Sequence, residues 1–320
     1  MAVSLVAVLA AAASLAVWKP WENKFRVRLA LPSASRPEPT LTAQLVFDNP
    51  PSALSGSSAG ASEVAASLAS PGYFFAAPDA SLNLGQGGTG RWAALLTTDT
   101  DESANLDAGR SGVNVTVQGV PGVLVLAIGD QSLQLSFGPL GGRVYTIVTS
   151  EISKADTLAF AEVVGIDDGV PVIADISVLQ GMRPLCTIAD FNTAYGLVLT
   201  ASNPDYAQPQ IVAAQYGEES ERFTLTSQQA PESGLVPLQF VLGGKIDSTV
   251  HGEPALTFVT DDSEALLSFG VEFGSVVAWI EGGRLIMVTG KLPVDELLQL
   301  AESVRPATDE EWNQISQVAG

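Results

Sequence analysis

Hydrolysis by a serine nucleophile needs the serine, a base and an acid, and one stretch of the chain has part of that pattern. "GSSAG", Gly56 to Gly60, fits the G-x-S-x-G elbow with Ser58 as nucleophile. Such an elbow needs a buried strand before the serine and a helix after it. Ser58 instead lies in "NPPSALSGSSAGASEV", a Ser/Ala/Gly stretch that reads as an exposed loop, and the sole histidine, His251, falls in a distant strand–turn. A loop is the expected role. "GQGGTG", Gly85 to Gly90, carries the glycines of a dinucleotide-binding turn, but "RWAALLTTDTDES" follows it and reads as a strand. The motif works only where a helix N-terminus receives the pyrophosphate. One cysteine, Cys186 in "RPLCTIADF", rules out an internal disulfide, and one histidine leaves little for a His-based metal centre. Cys186 is expected to be a small buried apolar side chain. "DTDES" and "TDDSE" lack the spacing of a defined calcium loop. The expectation is a protein with no catalytic, cofactor-binding or metal-ligating residues, and not an enzyme.

The composition agrees with a folded binding or structural protein. Of 320 residues, 46% are apolar and 16% charged, enough to bury one core in each of two domains. The 35 acidic against 15 basic residues give a net charge of -20. That charge repels phosphates and anionic headgroups, so nucleic acid is not an expected partner. The acidic residues are dispersed and read as a solvated surface.

The first eighteen residues, "MAVSLVAVLAAAASLAVW", carry no charge and are followed by "KPWENKFRVR". Their length suits a short membrane-spanning helix, and Trp18 and Trp21 fall where interfacial aromatics belong. A secretory signal cleaved after Ala16 and a helix packed on a core are the alternatives. The expected arrangement is a single-pass anchor over residues 1–24 with the bulk of the chain outside the cytoplasm. Lys19, Lys24, Arg26 and Arg28 stand against that orientation under the positive-inside rule.

Beyond the anchor, short apolar runs recur: "VNVTVQGV", "VLVLAI", "LQLSF", "VYTIV", "GLVLTA", "PQIVAAQY", "RFTLTS", "LVPLQFVL", "ALTFVT", "SVVAWI" and "RLIMVT". Gly, Asp, Asn and Pro separate them, as hairpins require, so all are expected as strands. Helix is expected at "ASEVAASLAS", Ala61 to Ser70, and at the ends of two repeated units. "TVQG" (Thr116 to Gly119) matches "TVHG" (Thr249 to Gly252), "LSFG" (Leu135 to Gly138) matches "LSFG" (Leu267 to Gly270), and "GGR" (Gly141 to Arg143) matches "GGR" (Gly282 to Arg284). The second copy is longer between its last two matches, so Phe137 corresponds either to Phe269 or to Trp279. Matches kept in one order argue for duplication.

Each unit ends in an amphipathic helix. Val294, Leu297, Leu298, Ala301 and Val304 form an apolar stripe after Pro293, and Leu158, Ala161 and Val164 form another after Ser153 and Asp156, which resemble a capping box. A striped helix must bury its apolar side, and the preceding sheet is the nearest surface. The expected fold is therefore α+β: an anchor over 1–24 and two tandem β-rich modules, 25–168 and 169–320, each an antiparallel sheet with a C-terminal helix across it.

"V-x-G", the hairpin "GG-x-L-x-x-V-T-G", "LPVDELLQLAESV" and "TDEEW" together resemble the extracytoplasmic β-rich domain of actinobacterial single-pass membrane proteins, some of them anti-sigma-factor-like. MucB-like and lipoprotein-carrier half-barrels are related. The resemblance covers His251 to Trp312 well and implies a membrane-anchored binding or sensory module, with a protein partner or apolar ligand between sheet and helix and a link to sigma-factor or envelope regulation. A structural spacer of the cell envelope is the alternative, and after it a serine hydrolase acting through Ser58.

Overall fold

The computed structural model describes residues 27–28, 40–48, 53–57, 72–82, 89–99, 112–126, 132–167, 170–202, 211–216, 223–259 and 274–318. The expected anchor, the expected helix Ala61 to Ser70, Ser58 and the second "LSFG" lie outside these residues. Among the described residues no helix is long and apolar enough to cross a membrane.

The fold is β-rich α+β, built on two seven-stranded antiparallel sheets. The first contains β4 (Gly72–Ala76), β5 (Trp92–Asp99), β6 (Val113–Val117), β7 (Val120–Leu126), β8 (Ser132–Leu140), β9 (Arg143–Ser150) and β12 (Arg183–Thr187), in the order β12-β4-β5-β9-β8-β7-β6. The second contains β3 (Ala53–Ser57), β13 (Val212–Tyr216), β14 (Phe223–Gln229), β15 (Lys245–Val250), β16 (Glu253–Val259), β17 (Ser275–Glu281) and β18 (Arg284–Gly290), in the order β15-β16-β17-β18-β14-β13-β3. Read from β6 and from β15, the two orders are the same: a four-strand meander, then the two strands that precede it in the chain, then an edge strand.

That edge strand is exchanged. β12 precedes the second sheet in the chain yet pairs with β4 of the first, Thr187 opposite Tyr73. β3 precedes the first sheet yet pairs with β13 of the second, Ser57 opposite Ala213. The chain therefore does not part cleanly between the sheets at residues 168/169.

Smaller pairings cross in the same way. β1 (Val27–Arg28) and β10 (Val164–Asp167) flank β11 (Val170–Ile173). β2 (Leu45–Phe47) pairs with β19 (Val304–Pro306), near the other end of the chain.

The helices decide which sheet faces are buried. α1 (Lys154–Val163) sets Phe160 and Ala161 on the outer face of the first sheet, against Phe75, Leu95, Leu135 and Ile147. Ser153 caps it, its Oγ accepting from the Asp156 amide at 3.1 Å. α2 (Ile188–Ser202) and α3 (Val236–Leu242) lie between the sheets. Phe191 and Phe240 meet Phe74 and Trp92 of the first sheet, while Leu197, Val198, Leu238 and Val241 meet Val276, Ala278, Leu285 and Met287 of the second. α4 (Val294–Ala301) then covers the outer face of the second sheet with Leu297 and Ala301. α5 (Asp309–Val318) follows β19 and sets Trp312 in the same cluster. With both faces covered, every residue of β18 is buried, which is why "RLIMVTG" reads as a continuous apolar run.

Two runs expected as strands are helices. "YGLVLTA" lies in α2, where Ala194, Leu197, Val198 and Ala201 are all buried at helical spacing. Its β-branched residues favour a strand locally, but burial of one helical face against two sheets outweighs that small preference. "LVPLQFVL" became α3; Pro237 in its first turn and Gly243 at its end (φ 76°) are the start and stop signals that its apolar content masked. Val164 and Val304, expected on helical stripes, instead open β10 and β19.

Candidate functional site

The "TVQG" and "TVHG" copies are the tips of matching hairpins. Gln118 and His251 both hold left-handed backbone (φ 51° and 52°), each followed by a glycine at φ 79° and 82°. Two consecutive positive φ values make the tight turn that matches strand twist. The turns are clasped alike to the helix ends. Gln118 N–H donates to Glu162 Oε2 at 3.0 Å, and His251 N–H donates to Glu302 Oε2 at 3.2 Å. Gln118 Nε2 also donates to the carbonyls of Ala161 (2.6 Å) and Val164 (3.1 Å).

His251, considered above as a base, is a clasp residue. Nδ1 lies 2.8 Å from Glu281 Oε2 and Nε2 lies 3.0 Å from the Glu302 carbonyl oxygen. Both partners only accept, so the doubly protonated imidazolium satisfies both. Burial opposes that charge, but the bonds to Glu281 and Glu302 outweigh it and raise the His251 pKa. Burial likewise opposes the Glu281 carboxylate, while hydrogen bonds from His251 and from Trp279 Nε1 (3.0 Å) bring its pKa below the usual value. A group with a raised folded pKa lends stability that is complete below its unfolded value, about 6.5 for histidine, and lost as pH rises through the folded value. Glu281 acts oppositely, its contribution lost as pH falls through its lowered folded value. Melting temperature should therefore fall as pH rises through the His251 titration. His251→Gln, which restores the clasp of Gln118, should flatten that dependence; an equal pH dependence in the variant would show that His251 is not its source.

Ser58 follows β3, whereas His251 follows β15, the opposite edge of the same sheet. Six spacings of about 4.8 Å put those edge strands roughly 25–30 Å apart. Cys186 is buried in β12, its thiol pKa raised by burial and then by Asp190. Of "GQGGTG", Thr89 bridges to Ser81 and Gly90 donates its N–H to Glu151 Oε1 at 3.0 Å; the next element is β5, a strand. Among the described residues no group of three or more His, Cys, Asp or Glu is placed to hold a metal ion.

Two cavities of similar size are lined by described residues: one of about 400 Å³ between the ends of β4 and β12 and α3, and one in the first half. The latter, of about 420 Å³, opens between the Gly141 hairpin, the end of α1 and the β10–β11 pair. Leu140, Tyr145, Ile166 and Val172 give it apolar walls, while Arg143, Glu162 and Asp167 bring charge to it. Arg143 makes no ion pair or side-chain hydrogen bond with another described residue. No signal in the sequence distinguishes this place from its counterpart in the second half.

Strand register identifies that counterpart. Phe137 pairs with Gly122 and Tyr145, each at a fixed step from the matching turns, and Trp279 pairs with Ala255 and Ile286 at the same steps. Phe137 thus corresponds to Trp279, both fully buried, and the second "LSFG" is not its structural equivalent. On the same count Gly141 corresponds to Gly282 and Arg143 to Arg284. At Gly282 the site is filled: Thr40 and Leu41 both donate their N–H to its carbonyl, at 2.9 and 3.2 Å, and Arg284 is only 8% exposed. A Cβ placed on Gly282 would lie 2.7 Å from Leu41 Cβ, whereas one on Gly141 would meet nothing within 4 Å.

Comparison of the chain with protein-family models, with curated proteins and with solved structures finds no match.

Proposed function

We propose that this protein is a non-catalytic binding module of the cell envelope, made of two tandem copies of one unit and anchored through residues 1–18. The open cavity at Gly141 carries the reading, because the matching place in the other half is plugged by the chain itself. Matching strand order, hairpin register and helix clasps support the duplication. An apolar-walled space with a few charged groups at its edge is the common form of a ligand site. The wide separation of β3 and β15 speaks against a Ser58–His251 dyad. The uncharged segment 1–18 supports the anchor, and the resemblance of the second half to extracytoplasmic domains supports the location and a link to sigma-factor or envelope regulation.

Two measurements test this. An environment-sensitive apolar dye should bind the full chain saturably, and Gly165→Trp, whose new side chain enters open space beside Val172, should abolish that binding; no saturable binding, or binding indifferent to the substitution, refutes the site. A reporter fused after Gly320 that is active only when exported should be active, and activity of a cytoplasm-only reporter there would refute the location.

A further inference from the structure

We infer that the cavity at Gly141 receives a short extended polypeptide segment from a partner, bearing a leucine-sized side chain and donating backbone N–H groups to the Gly141 carbonyl. The inference rests on the binding-module reading and names its ligand class. Its ground is the filled counterpart. There, residues 40–44 run from the Gly282 hairpin to β2, Leu41 packs partly buried against the core, and β2 pairs with β19.

In the first half β11 takes the place of β2: Val164 faces Ile173 as Val304 faces Phe47. β11, however, starts at Val170, only two residues after β10 ends at Asp167, and pairs with it antiparallel, so the chain enters β11 from β10 and not from the Gly141 hairpin. Among the described residues nothing stands at the equivalent of residues 40–44, about five residues or roughly 17 Å of extended chain. The Gly141 carbonyl accepts no hydrogen bond among the described residues, and Gly141 and Gly142 are exposed with Arg143 half-buried, where Gly282 is half-buried and Gly283 and Arg284 are buried. Recognition would follow the usual rule for extended peptides, with main-chain bonds giving affinity and a side-chain pocket giving selectivity.

The probe is a synthetic peptide of residues 38–46, EPTLTAQLV, labelled and titrated with the full chain while anisotropy is followed. Tethering gives the native plug a high local concentration at Gly282, so free peptide should fill the open Gly141 site. Saturable one-to-one binding is expected. It should weaken at least tenfold with Gly141→Asn, a residue that tolerates left-handed backbone, and with Gly165→Trp, which fills the cavity from the other side. A peptide with aspartate in place of Leu41 should bind at least tenfold more weakly. Absence of binding, or binding unchanged by both protein variants or by the altered peptide, overturns the inference. If the apolar dye binds and the peptide does not, the partner class is wrong and the binding site stands; if neither binds, both fail.

Discussion

A fragment comprising residues 184–320, produced alone, is expected not to unfold cooperatively. It contains the second meander, α2, α3 and α4, and on composition it is large enough to fold. It lacks β3, whose removal bares the edge of β13 from Ala213 to Tyr216. It also lacks β2, and with it Leu45, Val46 and Phe47, which are 2%, 3% and 0% exposed in the full chain. The Phe47 ring meets Tyr216 at 5.1 Å and Phe223 at 5.5 Å between centroids, so its loss opens the aromatic centre of the outer core. Burial of such side chains contributes about 1.5–3 kcal/mol each, or roughly 5–9 together, against a typical whole-domain stability of about 5–15 kcal/mol. The fragment further carries β12 with no partner strand. Circular dichroism during urea unfolding should show no sigmoidal transition until a peptide spanning residues 38–58 is added. A cooperative transition in the bare fragment, at the midpoint of the full chain, would show that the exchanged strands are incidental.

Leu297→Ala should cost about 2–5 kcal/mol, the range for truncating a fully buried leucine in a core that cannot collapse around the gap. Leu297 is 0% exposed and sits among Trp279, Val288 and Ala301 on the outer face of the second sheet. Leu298, its neighbour on the sequence stripe, is half-buried and should cost less, while Gln299→Ala on the exposed side should cost under about 0.5 kcal/mol. Urea midpoints of the three variants at constant slope give the comparison. Equal losses at Leu297 and Leu298 would mean that α4 is rotated from the orientation described.

The parts of the fold legible in the sequence are those with local causes. Paired glycines before Arg143 and Arg284 specify hairpin turns with positive φ, and both turns have it. Ser153 with Asp156 marks a helix start and caps one. The strands of both meanders follow from apolar runs between turn residues. α2 and α3 were not legible as helices, because Val198 and Phe240 are good strand residues and only the opposing sheet explains their helical burial. The exchange of β3 and β12 has no cause in the residues of either strand: nothing in "ALSGS" or "RPLCT" specifies which sheet edge it joins. The site was half legible. The repeat announced two equivalent hairpins, but the difference between them lies in whether a remote segment near Leu41 covers the glycines, a fact no spacing encodes.

The exchange also sets an order of assembly. β3 is synthesised long before β13, the strand it must join, and the first sheet stays without its edge until β12 has emerged. Neither half can lock during synthesis, and closure waits on contacts between residues far apart in the chain, the kind that slow folding most. Once closed, neither sheet can release its edge strand without pulling on the linker to the other. Resistance to transient opening, and hence to proteases that attack opened chains, should therefore exceed what the equilibrium stability of either sheet alone would provide.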